Sequence, residues 1–299
     1  MLLSYFLWYT DNMHFVNAKS ILTPHSMNIY RGCSHGCIYC DSRSKCYQFT
    51  HDFEDIEVKR NAPELLEQTL RKKRKRCMIG TGAMGDSYIP AEKDLSLMRR
   101  CLEVINRLNF GAALQTKSDL VLRDIDLLAD INRKTKAVLQ MTLTTADDSL
   151  CHLIEPGVCP TSRRFEVLSA FRDAGIPTVV WFSPLLPFIN DTKENIDGIM
   201  DYCIRACVKA VICFGIGLTL RDGVREYFYA ALDRHFPGLK QQYIHTFGNS
   251  YVVSSPHEHE LMQHLAQQCR KSSIMLGTDS VFKWMEDFPQ TNPSQPELF

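Results

Sequence analysis

Three thiols stand close together in Cys33-Ser-His-Gly-Cys37-Ile-Tyr-Cys40. Gaps of three and then two residues let one loop bend them around a single small centre. Gly32 and Gly36 free the backbone for that bend. Thiolates bind soft metals and iron–sulfur clusters. A three-ligand clip leaves one coordination position open, and an open position on a cluster iron is what a substrate or cofactor needs. Cys46 is the ambiguous neighbour. Joined to the other three, it would close a four-thiolate zinc or cluster site with a structural role. Apart from them, it packs near the loop or acts as a redox-active thiol. Structural zinc sites usually come as paired CxxC knuckles, and the sequence holds no second pair. The remaining cysteines (Cys77, Cys101, Cys151, Cys159, Cys203, Cys207, Cys213 and Cys269) are scattered, mostly among apolar neighbours. They read as small core residues kept reduced in a cytosol.

A metal clip needs a frame, and the rest of the chain supplies one. Strands are predicted at Met27–Tyr30, Cys77–Thr81, Gly111–Thr116, Ala137–Thr144, Pro177–Pro184, Val211–Gly217 and Gln242–His245. Helices are predicted between and after them, at Pro63–Lys75, Leu95–Leu108, Val121–Asn132, Arg163–Ala174, Thr192–Cys207, Val224–Phe236 and His257–Lys271. Strands that alternate with helices are parallel and joined by crossovers. Runs such as VLQMTLTT lack polar alternation, as expected where both sheet faces are covered. Asp173-Ala-Gly-Ile-Pro177 ends a helix with Gly and opens a strand with Pro. The expected fold is α/β: one full or partial (β/α) TIM-type barrel over 13–287, with a frayed tail at 288–299.

With the clip placed just after the first strand of a βα series, the chain resembles the radical S-adenosylmethionine superfamily. Further segments are similar to its spore photoproduct lyase-like branch, over roughly 13–285. They are Gly80-Thr-Gly-Ala-Met-Gly85-Asp86, Gln115-Thr-Lys117-Ser118, Arg123-Asp124-Ile-Asp126, Thr142-Leu-Thr144-Thr145, Glu155-Pro156 and Pro184-Leu-Leu-Pro187. The resemblance implies a [4Fe–4S] cluster on Cys33, Cys37 and Cys40, with S-adenosylmethionine on its fourth iron. Reductive cleavage would then give a 5′-deoxyadenosyl radical that abstracts hydrogen from a substrate. It also implies an external one-electron reductant of flavodoxin or ferredoxin type. In the cofactor pocket it places Gly85 and Asp86 near the ammonium, Lys117 near the carboxylate, Thr142 and Thr144 near ribose or carboxylate oxygens, and Ser118 as a further cofactor-binding residue. Tyr39 would set its backbone near the adenine. Each has a plainer alternative: Asp86 as a turn residue, Lys117 as partner to an acid, the threonines as strand formers, Glu155 as a structural ion pair.

Arg31, Arg123, Arg163, Arg164 and Arg221 are candidates for substrate anions, and Tyr88, Phe188, Asn190 and Arg221 for the barrel mouth. The branch suggests DNA photoproduct repair, but one departure counts against it. The resemblance puts a hydrogen-donating cysteine three residues before Asp86, and this chain has Ala83 there. The charge balance agrees: Lys+Arg and Asp+Glu are 34 each, so no global field attracts nucleic acid. The single strong basic run, Arg71–Arg76, reads as the solvated end of a helix.

The composition, 45% apolar with 15 Gly and 13 Pro, excludes a disordered or low-complexity chain. Residues 1–9, MLLSYFLWY, are too short to span a bilayer and lack the flanks of a signal peptide. Segment 1–12 reads as an upstream start or an apolar arm, and the protein as cytoplasmic. The first expectation is thus a radical S-adenosylmethionine enzyme of unknown substrate. A photoproduct repair lyase with the same centre comes second, and a non-catalytic zinc or iron–sulfur binding protein third.

Overall fold

The computed structural model describes residues 13–82 and 84–287. Segment 1–12, Ala83 and the tail 288–299, about which expectations were stated above, lie outside the described residues. The strands are β1 (Met13–Val16), β2 (Leu22–Thr23), β3 (Ser26–Met27), β4 (Tyr30–Arg31), β5 (Ile56–Lys59), β6 (Met78–Thr81) and β7 (Gly111–Thr116). They continue with β8 (Ala137–Thr142), β9 (Thr178–Trp181), β10 (Ala210–Ile212), β11 (Gly217–Thr219), β12 (Val252–Ser254) and β13 (Met275–Leu276).

Eight of them form the main sheet, in the order β13-β10-β9-β8-β7-β6-β3-β2. Every neighbouring pair from β3 to β13 is parallel, and β2 turns back antiparallel on β3. The two edge strands do not pair with each other, so the barrel is partial. Helices Ala62–Lys72, Leu97–Arg107, Ile125–Lys134, Thr161–Asp173, Lys193–Arg205 and Glu258–Lys271 alternate with the strands. All six residues of β8 are buried, which explains why its sequence has no polar alternation. A three-stranded sheet, β1-β5-β4, flanks the barrel, and β11 and β12 form an antiparallel ribbon. Among the described residues, no helix is long and apolar enough to cross a membrane.

Most predicted boundaries follow local chemistry. After Thr161–Asp173, Gly175 takes φ 71° and the Ile176 N–H returns to the Phe171 carbonyl at 2.9 Å. That six-to-one closure ends the helix and releases Pro177 toward β9. One strand prediction fails: Gln242–His245 lies inside the helix Leu239–Phe247. Leu239, Tyr243 and Phe247 recur every four residues and pack into one apolar cluster, so a helical stripe overrides the short Tyr-Ile pair flanked by polar residues. Met27–Tyr30 also divides, because Met27 ends β3 in the barrel while Tyr30 joins the flanking sheet.

The basic run is corrected in part. The helix stops at Lys72, so Lys73–Arg76 belong to the link that enters β6. Arg71 pairs with Glu67 at 2.7 Å, and the Arg76 guanidinium lies 5.0 Å from the Phe110 ring centre.

Two substrate candidates prove to be structural. Arg123 grips Glu92 at 2.6 Å and Asp124 at 2.8 Å, and Tyr88 is buried with its hydroxyl on Asp124 at 3.1 Å. Glu92 has no exposed surface; it also takes the Met98 N–H at 3.0 Å and the Tyr30 hydroxyl. Removing Glu92 would strand the buried Tyr30 hydroxyl and Met98 N–H and take away one of the two anions on Arg123, at a cost of about 3–5 kcal/mol. Glu92→Ala should therefore lower unfolding stability in urea by about that amount. Glu103→Ala, at an exposed pair 4.0 Å from Arg99, should cost under about 1 kcal/mol. Similar losses for both would deny Glu92 this role.

Candidate active site

A parallel barrel collects its strand ends on one face, and there this chain opens a cavity of about 650 Å³. Gly82, Thr116–Lys117, Thr142 and Trp181, at or just past the ends of β6, β7, β8 and β9, line it together with Cys33, Cys37 and Cys40. The loop carrying the cysteines is fastened at both ends. Cys33 N–H donates to the Phe53 carbonyl at 3.2 Å, and Ile38 N–H to Ile154 at 3.0 Å. Gly32 has φ 97°, and a Cβ there would sit 2.5 Å from the Phe53 carbonyl oxygen, so only glycine fits the entry. A Cβ on Gly85 would lie 2.9 Å from the Gly32 carbonyl, so the glycine-rich loop after β6 rests directly on the cysteine loop.

Asp86 fixes that contact. Its carboxylate accepts from Tyr88 N–H at 2.8 Å, Lys117 N–H at 2.8 Å and the Thr116 hydroxyl at 2.7 Å. His35 Nδ1 lies 3.6 Å away. Asp86 thus joins the loop after β6 to the end of β7 and to the cysteine loop.

Lys117 sits with its ammonium 5.9 Å from the Tyr39 ring centre. Burial opposes its charge, but Cys37, Glu155 and Asp86 more than offset this and hold the amine firmly protonated. Tyr39 donates its hydroxyl to Glu155, which meets Arg164 at 2.6 Å with neither side chain exposed. Burial alone would raise the Glu155 pKa; Arg164, Lys117 and Tyr39 instead hold it below the ordinary 4.5.

The thiols differ. Burial pushes Cys37 and Cys40 up. Cys33 is also buried, yet the adjacent His35 brings it below its ordinary value. His35 was given no role by sequence reasoning. Its position between two ligand candidates was the available signal, and the structure buries it against Asp86.

Not every predicted site residue reaches the cavity. Tyr39, Gly85, Asp86, Lys117 and Thr142 do. Ser118 instead caps the turn after β7 through Leu120 N–H at 3.3 Å. Thr144 lies beyond the end of β8 and donates to Glu155 at 3.4 Å.

Of the anion candidates, Arg221 alone lines the cavity, bound to Asp41 at 3.0 Å and to the Cys46 sulfur at 3.2 Å. Arg164 is sealed in with Glu155; Arg163 pairs with Asp119 and Glu166; Arg31 bonds the Tyr47 and Gln48 carbonyls. At the expected mouth, Asn190 is buried on the Thr144 carbonyl, and Phe188 packs on Tyr243 and Phe247. Trp181 and the exposed Phe214, neither singled out in the sequence, take that place.

This donor set suits a cluster better than a lone zinc. Tetrahedral zinc with Zn–S near 2.3 Å needs its sulfurs roughly 3.8 Å apart. Among the described residues, no three cysteine sulfurs lie within 4.8 Å of one another. Cys46 is exposed and turned to Arg221, outside the convergence of the other three. Three spread, mostly buried thiols around a roomy cavity, beside a charged lysine, fit a larger metal–sulfur centre with a small molecule next to it.

An open parallel barrel with three thiols and a lysine ammonium on one cavity is an arrangement suited to a metal-cluster enzyme of the (β/α) class. The radical SAM superfamily profile matches residues 27–203, and the chain belongs to that superfamily. It is a radical S-adenosylmethionine enzyme, in a superfamily that uses a [4Fe–4S] cluster, S-adenosylmethionine and an external reductant. An uncharacterized protein of Mycobacterium tuberculosis is 29% identical over 238 residues, covering 76% of this chain and 68% of the relative. One from Methanocaldococcus jannaschii is 30% identical over 187 residues, 60% of this chain and 69% of the relative. Spore photoproduct lyase has a similar fold, with TM-score 0.65 in its complex with dinucleoside spore photoproduct. That likeness covers 88% of this chain and 81% of the lyase, at 12% identity.

The Glu155–Arg164 pair yields a pH test. A carboxylate held below its ordinary value stabilises the fold fully above about pH 4.5, and loses that contribution as pH falls through the depressed value. Acid should therefore destabilise the wild type more steeply than Glu155→Gln. That variant should start about 3–5 kcal/mol lower near neutrality. Parallel stability–pH curves in urea unfolding would remove Glu155 from this role.

Proposed function

We propose that Cys33, Cys37 and Cys40 hold the [4Fe–4S] cluster, and that S-adenosylmethionine lies in the adjoining cavity. The observation that carries this is the convergence of the three cysteines and the charged Lys117 on one cavity at the strand ends. Together the cluster and S-adenosylmethionine supply one-electron chemistry that removes a hydrogen atom from a substrate. Lys117 offsets the cofactor carboxylate, and Thr142 and the Tyr39 backbone line its path. Gly85 lets the loop after β6 come close. Asp86 acts as a positioning residue, because three donors from the chain already engage its carboxylate. Ser118 and Thr144 support the wall from behind.

Trp181 and Phe214 make the mouth apolar, with the Arg221–Asp41 pair and Glu258 at its polar edge, which favours an organic substrate with polar groups. Photoproduct repair receives less support. The basic run Arg71–Arg76 precedes β6, whereas the cavity opens beyond the end of that strand, so the run is at the wrong end of the barrel for a substrate there. A flavodoxin- or ferredoxin-type protein is the proposed electron source. The reducing cytoplasm, where free thiols persist, is the proposed compartment.

Anaerobic reconstitution tests this reading. The wild type should give a reduced-cluster EPR signal that changes with S-adenosylmethionine, and should form deoxyadenosine with dithionite. Cys37→Ala should lose the cluster. Lys117→Met should keep the cluster but bind S-adenosylmethionine roughly 10- to 100-fold more weakly, the value of a lost charge-assisted contact. A full cluster in Cys37→Ala, or unchanged cofactor binding in Lys117→Met, would sink the corresponding assignment.

A further inference from the structure

A second group of ligating side chains lies on the flanking sheet, outside the cavity. His14 on β1 and Glu57 on β5 are register partners in a parallel pair, which puts both side chains on one face. His51 reaches the same place from the segment between the cysteines and β5. Its ring centre is 4.8 Å from that of His14, with the planes at 84°. One ligating atom from each of His14, His51 and Glu57 falls within 4.8 Å of the other two.

The surroundings decide which nitrogens are available. His14 Nδ1 is 2.9 Å from Asp55 Oδ1. His51 Nδ1 is 2.9 Å from the Asp52 carbonyl and 3.9 Å from Asp55 Oδ2. These acceptors hold the Nδ1 protons, so each ring keeps a bare lone pair on Nε2. For His51, that Nε2 is closed off from solvent and has no hydrogen-bond partner. A buried polar atom without a partner calls for an explanation, such as an ion. Metal-ligating histidines are typically anchored this way, with one nitrogen on a carboxylate or carbonyl and the other on the metal. Glu57 adds the anionic ligand. Of the cations near it, Lys59 donates its ammonium to the Asn28 carbonyl at 2.9 Å, and Arg31, the register partner of Glu57 on β4, donates to the Tyr47 and Gln48 carbonyls.

We propose that His14, His51 and Glu57 form a binding site for a divalent first-row transition ion, zinc above all, with Asp55 orienting both rings. Two imidazoles and a carboxylate suit zinc. The site has a structural consequence for the enzyme. Phe53, two residues past His51, accepts the Cys33 N–H, so an ion on His51 ties β1 and β5 to the anchor of the first cluster cysteine.

Zinc itself is the probe. Full-length protein with its cluster reconstituted is equilibrated anaerobically with zinc chloride and desalted. Its zinc is counted by mass spectrometry, and its melting midpoint is measured with and without the ion. The wild type should retain one zinc equivalent more than His51→Gln and Glu57→Gln, and zinc should raise its midpoint by several degrees. Both variants should lose the extra equivalent and the shift, while His259→Ala, at an exposed helix position, keeps both. Circular dichroism checks that the variants fold. Exposed thiols contribute equally to all samples and cancel. Equal zinc in the wild type and the two variants, or an unshifted wild-type midpoint, overturns the proposal. Loss of the extra zinc in the triple variant Cys33→Ala, Cys37→Ala, Cys40→Ala would also overturn it, by moving the ion to the thiols.

Discussion

Glu155 and Arg164 meet at 2.6 Å with no exposed side-chain surface on either, directly behind the cysteine loop. Opposite charges in such a place must be fully solvated by the protein. Arg164 therefore also donates to the Thr142 carbonyl at 3.0 Å and the Cys159 carbonyl at 3.0 Å, while Glu155 accepts from Tyr39 and Thr144. These bonds reach three parts of the fold: the cysteine loop, the end of β8, and the segment entering Thr161–Asp173. A change in position of any one would unsatisfy the others. The pair thus converts a flexible loop into one with a defined relation to the barrel, which a clip of three thiols requires.

Electrostatics at the cavity follow from that pair. Arg164 compensates Glu155, yet Cys37 as a thiolate, then Glu155 and Asp86, raise the Lys117 pKa against its desolvation. Thiols held at Cys37 and Cys40 resist ionisation, whereas a bound metal centre would draw their protons away. Positive charge is accordingly concentrated where thiolates and a carboxylate-bearing cofactor would place negative charge.

Much of this was legible in the sequence, and the reasons are physical. The clip is local, so its spacing carries its meaning, and parallel strands declare themselves by apolar runs between helices. Long-range pairing is not written locally. Arg123 and Arg164 look like any surface cation until the fold brings Glu92 and Glu155 to them. Asp86 looked like a ligand, but the Tyr88 N–H two residues on, together with the Lys117 N–H and Thr116 hydroxyl from the distant end of β7, converge on it. Thr144 stood in alternation with Thr142, but the strand ends between them, and the alternation no longer applies. Gln242–His245 misled because a four-residue window does not distinguish period two from 3.6. Only the wider stripe of Leu239, Tyr243 and Phe247 does so.

The mouth contrasts with the floor. Below, Glu155 meets Arg164, Asp86 accepts from three donors, and Gly32 and Gly85 set backbones in close contact, so the floor has one arrangement. Above, Phe214 and Val252 stand exposed on separate segments. The ribbon β11–β12, which carries Val252, is a two-stranded element with few ladder bonds to hold it. Arg221 is held there by Asp41 and Cys46, both of which follow Cys33–Cys40 in the chain, and lies near the Tyr47 and Tyr251 rings. The rim is therefore linked to the loop of Cys33–Cys40 through residues 41–46. A fixed floor beneath a lightly held rim leaves the rim free to move while the thiols and Lys117 keep one geometry.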